Sequence, residues 1–437
     1  MLPGNDPYMT TTQTSAIEAS IDCKRPQLPS RPKRILLYSH DTMGLGHVRR
    51  NLLIAQALSE ADPEANILLV TGAREVGNFS IPLGADCLVL PSLYKEESGQ
   101  YRARCLNVSL GNIISLRSRI LAATIADFNP DVFIADNVAG GAQGELLAAL
   151  EYLRSNTTTR CILGLRDICD SPEAVKRDWG HQGTADTLRR YYHEIWVYGD
   201  PEVYNPIAEY NFPPDLAATV RFTGYLDQRP RLTQGDRKTA NGAQNHHKAV
   251  TQPYILCTVG GGQDGTQLAT AFVKCELPMG MGGVLLCGPH MDNAARQRLH
   301  QSAKDNHSLK VLDFVPEPAQ LVKDAAAVIC MGGYNSVCEA LSHNKRTLIV
   351  PRVKPRKEQL IRAMRLKQLN IAELIGPDKL NANSLSAQLS KMLDLPPPNV
   401  HKQIDFSGLK KLPALLQEQS RPATTEKLNH ACGVLPS

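Results

Sequence analysis

The sequence predicts an α/β protein of two doubly wound, Rossmann-like domains facing one another across a cleft. Three observations carry this. Short apolar runs alternate with helical stretches along most of the chain, and strands separated by helices of that length imply a parallel sheet covered on both faces. A polar interruption at residues 228–253 divides the alternation into two blocks. Each block carries glycine turns that follow a strand and open a helix: Gly44-Leu45-Gly46-His47 in the first, Gly260-Gly261-Gly262 and Gly332-Gly333 in the second. A chain of 437 residues is also too long for one ordinary core.

Residues 1–31 are polar, contain Thr, Ser and Pro, and lack the apolar stretch of a secretory signal; a disordered leader is expected. The first domain is expected over 32–227. Its predicted strands are Ile35–Ser39, Ile67–Thr71, Cys87–Leu90, Val132–Asp136, Cys161–Arg166, Ile195–Tyr198 and Val220–Thr223, with helices His47–Glu60, Ile113–Asp127, Gly144–Ser155 and Ala185–His193 between them. Residues 228–253 hold Pro, Gln, Asn, Gly, Lys and His and almost no large apolar residue, which reads as a linker or mobile loop. The second domain is expected over 254–395. Its predicted strands are Tyr254–Val259, Gly283–Cys287, Leu309–Asp313, Val328–Met331 and Thr347–Val350. Its predicted helices are Gln263–Cys275, Asp292–Asp305, Pro318–Asp324, Asn335–Ser342 and Lys357–Leu369. Residues 396–437 begin Pro-rich and read as a tail with one amphipathic helix, Phe406–Gln419.

Composition bounds the function. Hydrophobic content of 42% and charged content of 21% are those of a globular protein. A net charge of +5 is mild for this length; it argues against nucleic acid and permits peripheral contact with an anionic membrane surface. No run of eighteen apolar residues occurs, so no membrane-spanning helix is expected. The eleven cysteines form no C-x-x-C pair, and Cys257, Cys287 and Cys330 sit inside apolar runs as small hydrophobes. That is reduced usage, and the expected location is cytoplasmic, with the inner face of the membrane in reach.

The glycine turns are the candidate ligand sites. Glycine lets backbone N–H groups approach an anion, and a helix N-terminus favours negative charge. Two such turns in the second domain, with Glu339 one helical turn past the second, suit a nucleotide diphosphate and its ribose. Gly44 and Gly46 begin a dinucleotide fingerprint that fails, because Arg49 stands at the third glycine position. His47 follows them at the sheet edge where ligands of open α/β sheets bind, which makes it a candidate general base. Asp136 closes a strand at the same edge and reads either as the carboxylate that orients the imidazole or as the cap of the next helix. Arg166 and Asp167 end the next strand and read as acceptor contacts or as a loop ion pair. No G-x-x-x-x-G-K-[ST], H-E-x-x-H, G-x-S-x-G or D-x-D occurs, so no divalent metal is expected and a leaving diphosphate would rely on N–H groups and basic side chains.

These residues resemble a known family. Phe314-Val315-Pro316, then Met331 to Ala340, then Pro351 and Glu358-Gln359 resemble the donor domain of GT-B-fold glycosyltransferases. That family includes the peptidoglycan-assembling N-acetylglucosaminyltransferase, the UDP-glucuronosyltransferases and the plant UDP-sugar transferases. Gly44-x-Gly46-His47 matches their N-terminal glycine turn. The resemblance spans roughly Arg34 to Leu395 and is strongest to a group known only as predicted glycosyltransferases. It implies that Glu339 binds the ribose, that Gly333, Tyr334, Asn335 and Ser336 lie along the diphosphate, and that Phe314 and Val315 lie by the base. Glu358 and Gln359 would bind the donor sugar, and His47 with Asp136 would form the base and its partner. The chain departs from the peptidoglycan enzyme in having Gly-Gly-Tyr-Asn for a Ser-Gly-Ala turn and Glu358-Gln359 for a Gln pair.

The expectation is therefore an inverting, metal-independent glycosyltransferase without a cofactor. It would move a sugar from a nucleotide sugar, a UDP-sugar foremost, to a small-molecule or lipid-linked glycan acceptor. A UDP-N-acetylglucosamine 2-epimerase uses the same fold and is the alternative enzyme. A degenerate nucleotide-binding partner protein is the alternative from another class.

Overall fold

The computed structural model describes residues 31–40, 45–95, 100–232 and 252–418. The predicted leader up to residue 30, Gly44, residues 233–251 of the predicted linker and the tail beyond 418 lie outside the described residues.

Seven strands build the first sheet. They are β1 (Arg34–Ser39), β2 (Asn66–Thr71), β3 (Ala85–Val89), β6 (Val132–Asp136), β7 (Arg160–Arg166), β8 (Glu194–Tyr198) and β9 (Val220–Phe222), with β4 (Leu93–Lys95) and β5 (Tyr101–Ala103) set apart as an antiparallel hairpin. The order is β3-β2-β1-β6-β7-β8-β9, and every pair is parallel. The second sheet comprises β10 (Tyr254–Thr258), β11 (Gly282–Leu286), β12 (Leu309–Leu312), β13 (Ala327–Cys330), β14 (Arg346–Ile349) and β15 (Glu373–Leu374). Its order is β12-β11-β10-β13-β14-β15, again parallel throughout. Parallel strands lie between helical layers, which explains why β6, β11 and β13 are buried along their whole length.

The strand order reverses between β1 and β6 in one sheet and between β10 and β13 in the other. A crevice opens at such a switch point, outside the carboxyl ends of the strands. Gly46 and His47, after β1, lie there with Gly260–Gly262, after β10, and Gly332-Gly333, after β13.

The two sheets share core. Ile35, Leu37, Leu53 and Leu58 of the first domain belong to one apolar cluster with Tyr334, Val337 and Leu341 of the second. The C-terminal helix, Gly408–Gln417, joins the same cluster through Leu409, Leu412 and Leu416. Lys33 Nζ donates to Leu416 O at 3.3 Å and Arg160 Nη1 to Leu415 O at 2.7 Å. The helix Gly408–Gln417 thus packs back against the first domain.

Several elements went unread in the sequence, among them two helices, the hairpin and the short edge strand β15. The helix Pro172–Gln182 lies in what looked like a loop; its start signal, Ser171 as N-cap followed by Pro172, is present and Ser171 Oγ accepts from Ala174 N. The helix Ala382–Asp394 opens with a reciprocal cap between Asn381 and Ser384. The hairpin β4-β5 is too short to show a period. The flexible reading of the linker fails where it is described: Gln228 and Arg231 are 3% and 4% exposed, and Gln228 N donates to Ser342 Oγ at 3.0 Å.

Candidate functional site

The helix Gly46–Ala61 begins beyond the carboxyl end of β1, and Leu45, at its N-cap, offers no side-chain cap. His47 sits in that first turn and lines the cleft. Its Nδ1 is 2.9 Å from Asp136 Oδ2. Arg50 Nη2 lies 3.1 Å from the same Nδ1; in the tautomer with the hydrogen on Nδ1, the ring donates to the carboxylate and Nε2 keeps a lone pair. Asp136 is 1% exposed and does not cap the next helix. It also accepts from Arg50 Nη2, at 2.7 Å to Oδ1 and 2.6 Å to Oδ2. Burial alone would raise the Asp136 carboxyl, but the Arg50 guanidinium and the contact with His47 outweigh it and hold the group well below the usual carboxylate range.

His40 packs beside this pair, with ring centroids 4.9 Å apart from His47. Its Nδ1 is buried without a hydrogen-bond partner. Burial, then the neighbouring His47, lowers the His40 imidazole well below its ordinary value.

The opposite wall belongs to the second domain. Gly260, Gly261 and Gly262 line the cleft after β10. Gly262 is obligatory: its φ is 92°, and a Cβ there would lie 2.4 Å from Cys287 O. After β13, Gly332 has a φ of 86°. Gly333 then caps the helix Tyr334–Ser342 without any side-chain hydrogen bond, and a Cβ on it would meet open space. Neither Asn335 nor Ser336 caps this helix. Instead Asn335 Nδ2 donates to Gly46 O at 2.8 Å, tying the glycine turns of the two domains together. Tyr334 also lines the cleft, but its ring is buried between Arg50 and Arg362, at 5.4 and 5.9 Å, and stacks on Tyr225. Only its backbone is placed to meet an anion.

Glu339 is 4% exposed and lines the cleft. Arg49 Nη2 donates to its Oε1 at 2.7 Å, and Arg231 Nη1 donates to the same oxygen. Among the described residues nothing donates to Oε2. Burial raises the Glu339 carboxyl, but Arg49 and Arg231 outweigh it and lower the group. Arg231 also holds Glu317 at 2.8 Å. Phe314 and Val315 line the cleft beside these groups, as do Ser336, Glu358 and Gln359. Glu358 Oε1 accepts from Arg352 Nη2 at 2.9 Å, and Gln359 Oε1 accepts from Arg352 N at 3.2 Å. Arg352 Nε reaches Asp264 at 3.2 Å.

One candidate is corrected. Asp167 is fully buried behind the cleft; it accepts from Arg362 Nε at 2.9 Å and Nη2 at 2.6 Å, and from the Tyr225 hydroxyl at 2.9 Å. It is a domain-interface ion pair. Its neighbour Arg166 does line the cleft. Arg49, Arg50 and Arg231 were not recognised from sequence. A signal existed for the first two. Cations are disfavoured in the first turn of a helix, so Arg49 and Arg50 there require acidic partners from elsewhere.

Among the described residues no group of three or more His, Cys, Asp or Glu is placed to hold a metal ion, and no helix is long and apolar enough to cross a membrane.

Comparison with known proteins bears on the fold and on the second domain. Residues 256–412 match the glycosyltransferase family 28 C-terminal domain. An uncharacterized glycosyltransferase of Methanosarcina mazei is 22% identical over 321 residues, covering 70% of this chain and 77% of its own length. MurG of Acinetobacter baumannii superposes with a TM-score of 0.54 at 15% identity, over 88% of this chain and 99% of that one. A UDP-GlcNAc 2-epimerase from Neisseria meningitidis, solved bound to UDP-GlcNAc, gives 0.56 at 14% identity over 88% and 99%. At such identities the structural likeness is one of fold. Fold, domain match and sequence relative together make the chain a glycosyltransferase-type enzyme of the GT-B fold, with a glycosyltransferase family 28 C-terminal domain over residues 256–412.

Proposed function

We propose that this enzyme transfers a sugar from a UDP-sugar to an acceptor hydroxyl with inversion, His47 being the general base. The observation that carries the reading is that His47, held by Asp136, lines one cleft with two glycine turns and Glu339 of the other domain. The acceptor oxygen attacks the anomeric carbon as His47 Nε2 takes its proton. The bond from that carbon to the phosphate oxygen breaks, and UDP leaves on the opposite face. Attack in line with departure inverts the centre.

The leaving diphosphate lies along Gly333 to Ser336, at a helix start without a side-chain cap, with Gly260–Gly262 and Arg352 alongside. These donors provide the counter-charge without a metal. Glu339 Oε2, the oxygen the two arginines do not use, accepts the ribose hydroxyls. Phe314 and Val315 flank the base, and Glu358 and Gln359 meet the donor sugar. Asp136 keeps the imidazole in the right tautomer. The acceptor is a small molecule or a lipid-linked glycan, and the net charge of +5 suits work at an anionic membrane surface in the cytoplasm.

The test is a thermal-shift panel of UDP, GDP, dTDP and their sugars, with and without excess chelator. A ligand at a hundred times its Kd stabilises by about 2.7 kcal/mol. UDP and UDP-sugars should stabilise, chelator or not. Failure of every nucleotide to do so would overturn the donor assignment. The epimerase-fold likeness supplies the second reading, which the same protein tests: conversion of UDP-GlcNAc alone, followed by NMR, would replace transfer by epimerisation.

A further inference from the structure

The charges of the cleft are matched in pairs, with one exception. Arg49 meets Glu339, Arg50 meets Asp136, and Arg352 meets Glu358 and Asp264. Arg166 ends β7, lines the same cleft and is partly buried, yet no carboxylate lies at ion-pair distance from it among the described residues. Its Nε is buried with no hydrogen-bond partner. Nearby charges do not settle it. Burial foremost lowers the guanidinium from its ordinary value; Glu358 draws it back, while Arg50 and Arg362 oppose it.

A guanidinium has five donors and no acceptor, and holding it out of water without a counter-charge is unfavourable. Its planar fork fits a carboxylate or phosphate with two parallel hydrogen bonds. A neutral hydroxyl would leave the charge unmatched. Nor is the nucleotide diphosphate the natural partner, since the glycine turns at Gly260–Gly262 and Gly333 belong to the opposite domain.

We propose that Arg166 seats an anionic group, a carboxylate or a phosphate, carried by one of the two substrates: by the donor sugar, or by the acceptor. This rests on the transferase reading and narrows it, because one substrate must then be an acidic sugar, a phosphorylated acceptor or an acceptor with a carboxylate.

The experiment is calorimetry on the full chain and on Arg166→Gln, with Arg166→Lys keeping the charge but not the fork. The Arg166 side chain makes no hydrogen bond among the described residues and its charge is unmatched, so neither variant should unfold at a lower urea concentration than wild type. Three probes are titrated: UDP, UDP-glucose against UDP-glucuronate, and inorganic phosphate on protein with and without UDP. If the donor carries the anion, UDP-glucuronate binds wild type at least about tenfold more tightly than UDP-glucose, and Arg166→Gln erases the difference, as loss of a charged hydrogen bond implies. If the acceptor carries it, the two donors bind alike, and inorganic phosphate binds wild type about tenfold more tightly than Arg166→Gln. In either case Arg166→Lys falls between. Equal behaviour of wild type and Arg166→Gln in every arm overturns the proposal. So does weakened binding of UDP itself to Arg166→Gln, which would assign Arg166 to the diphosphate. If wild type binds no UDP or UDP-sugar but its phosphate binding depends on Arg166, the donor reading falls and the anion seat stands.

Discussion

Glu339→Gln separates the two demands placed on this carboxylate. Its Oε1 serves Arg49 and Arg231, and its Oε2 is left for the ribose. Glutamine keeps the volume and one carbonyl oxygen, so both arginines keep an acceptor but lose its charge. Arg231 also keeps Glu317 at 2.8 Å. The expected loss of stability is therefore about 1–3 kcal/mol, below the ~3–5 kcal/mol of a buried pair broken outright. The ribose effect is read by comparing UDP with 2′-deoxy-UDP in each protein. A hydroxyl donating to a carboxylate is worth about 1.5–3 kcal/mol, so wild type should prefer UDP by roughly 10- to 150-fold. In Glu339→Gln that preference should shrink towards a few-fold, whatever happens to overall stability. Calorimetry gives both ratios. A wild type that binds UDP and 2′-deoxy-UDP equally refutes the assignment, and so does a preference that survives the substitution intact.

The remaining expectations concern the base, the domain interface and pH. His47→Ala should lower turnover by about 10²–10⁴-fold with donor affinity nearly unchanged, and Asp136→Asn should lower it less; steady-state kinetics with a separate UDP titration checks this. Asp167→Ala leaves Arg362 buried and unpaired and should cost about 3–5 kcal/mol in urea denaturation; loss of acceptor affinity at full stability would return Asp167 to the acceptor site. His40 is buried and held neutral in the fold, while an unfolded imidazole takes up a proton below about pH 6.5. The unfolded state then binds more protons, so His40 costs stability as pH falls below that value, by up to about 1.4 kcal/mol per pH unit. His40→Gln should flatten the wild-type stability curve between pH 7 and pH 5, and an unchanged slope would remove His40 as the cause.

The fold was legible because a parallel sheet writes itself as continuous apolar runs. Val132 to Asp136 and Tyr254 to Thr258 are read correctly from apolarity alone, and the glycine turns mark where those strands end. The apposition of His47, the glycine turns and Glu339 followed from one topological rule, since all lie beyond strand carboxyl ends at switch points. What stayed hidden was pairing across the cleft. Arg49 was visible only as a failed glycine position, because its partner Glu339 lies 290 residues away and nothing local announces it. Asp167 and Arg166 are adjacent at one strand end and looked equivalent. Alternation along the strand sends the first behind the cleft to Arg362 and the second into it.

That division of charges has a consequence for how the cleft binds. Glu339 is already stabilised by two arginines, and the glycine turns already touch through Asn335 and Gly46. A donor entering here does not meet bare charges whose desolvation it must offset in full. It meets oriented groups whose partners lie in both domains, so its affinity is the difference between new contacts and those it loosens. Contacts that join the domains, Arg49 to Glu339 and Arg362 to Asp167, then act on both the position of His47 and the shape of the donor site. The second pair is fully buried and does not line the cleft, so it holds the interface fixed. The first lies in the cleft and is the one that binding can rearrange. Substitution of Arg49 should therefore alter donor affinity and turnover together, whereas substitution of Arg362 should alter stability first.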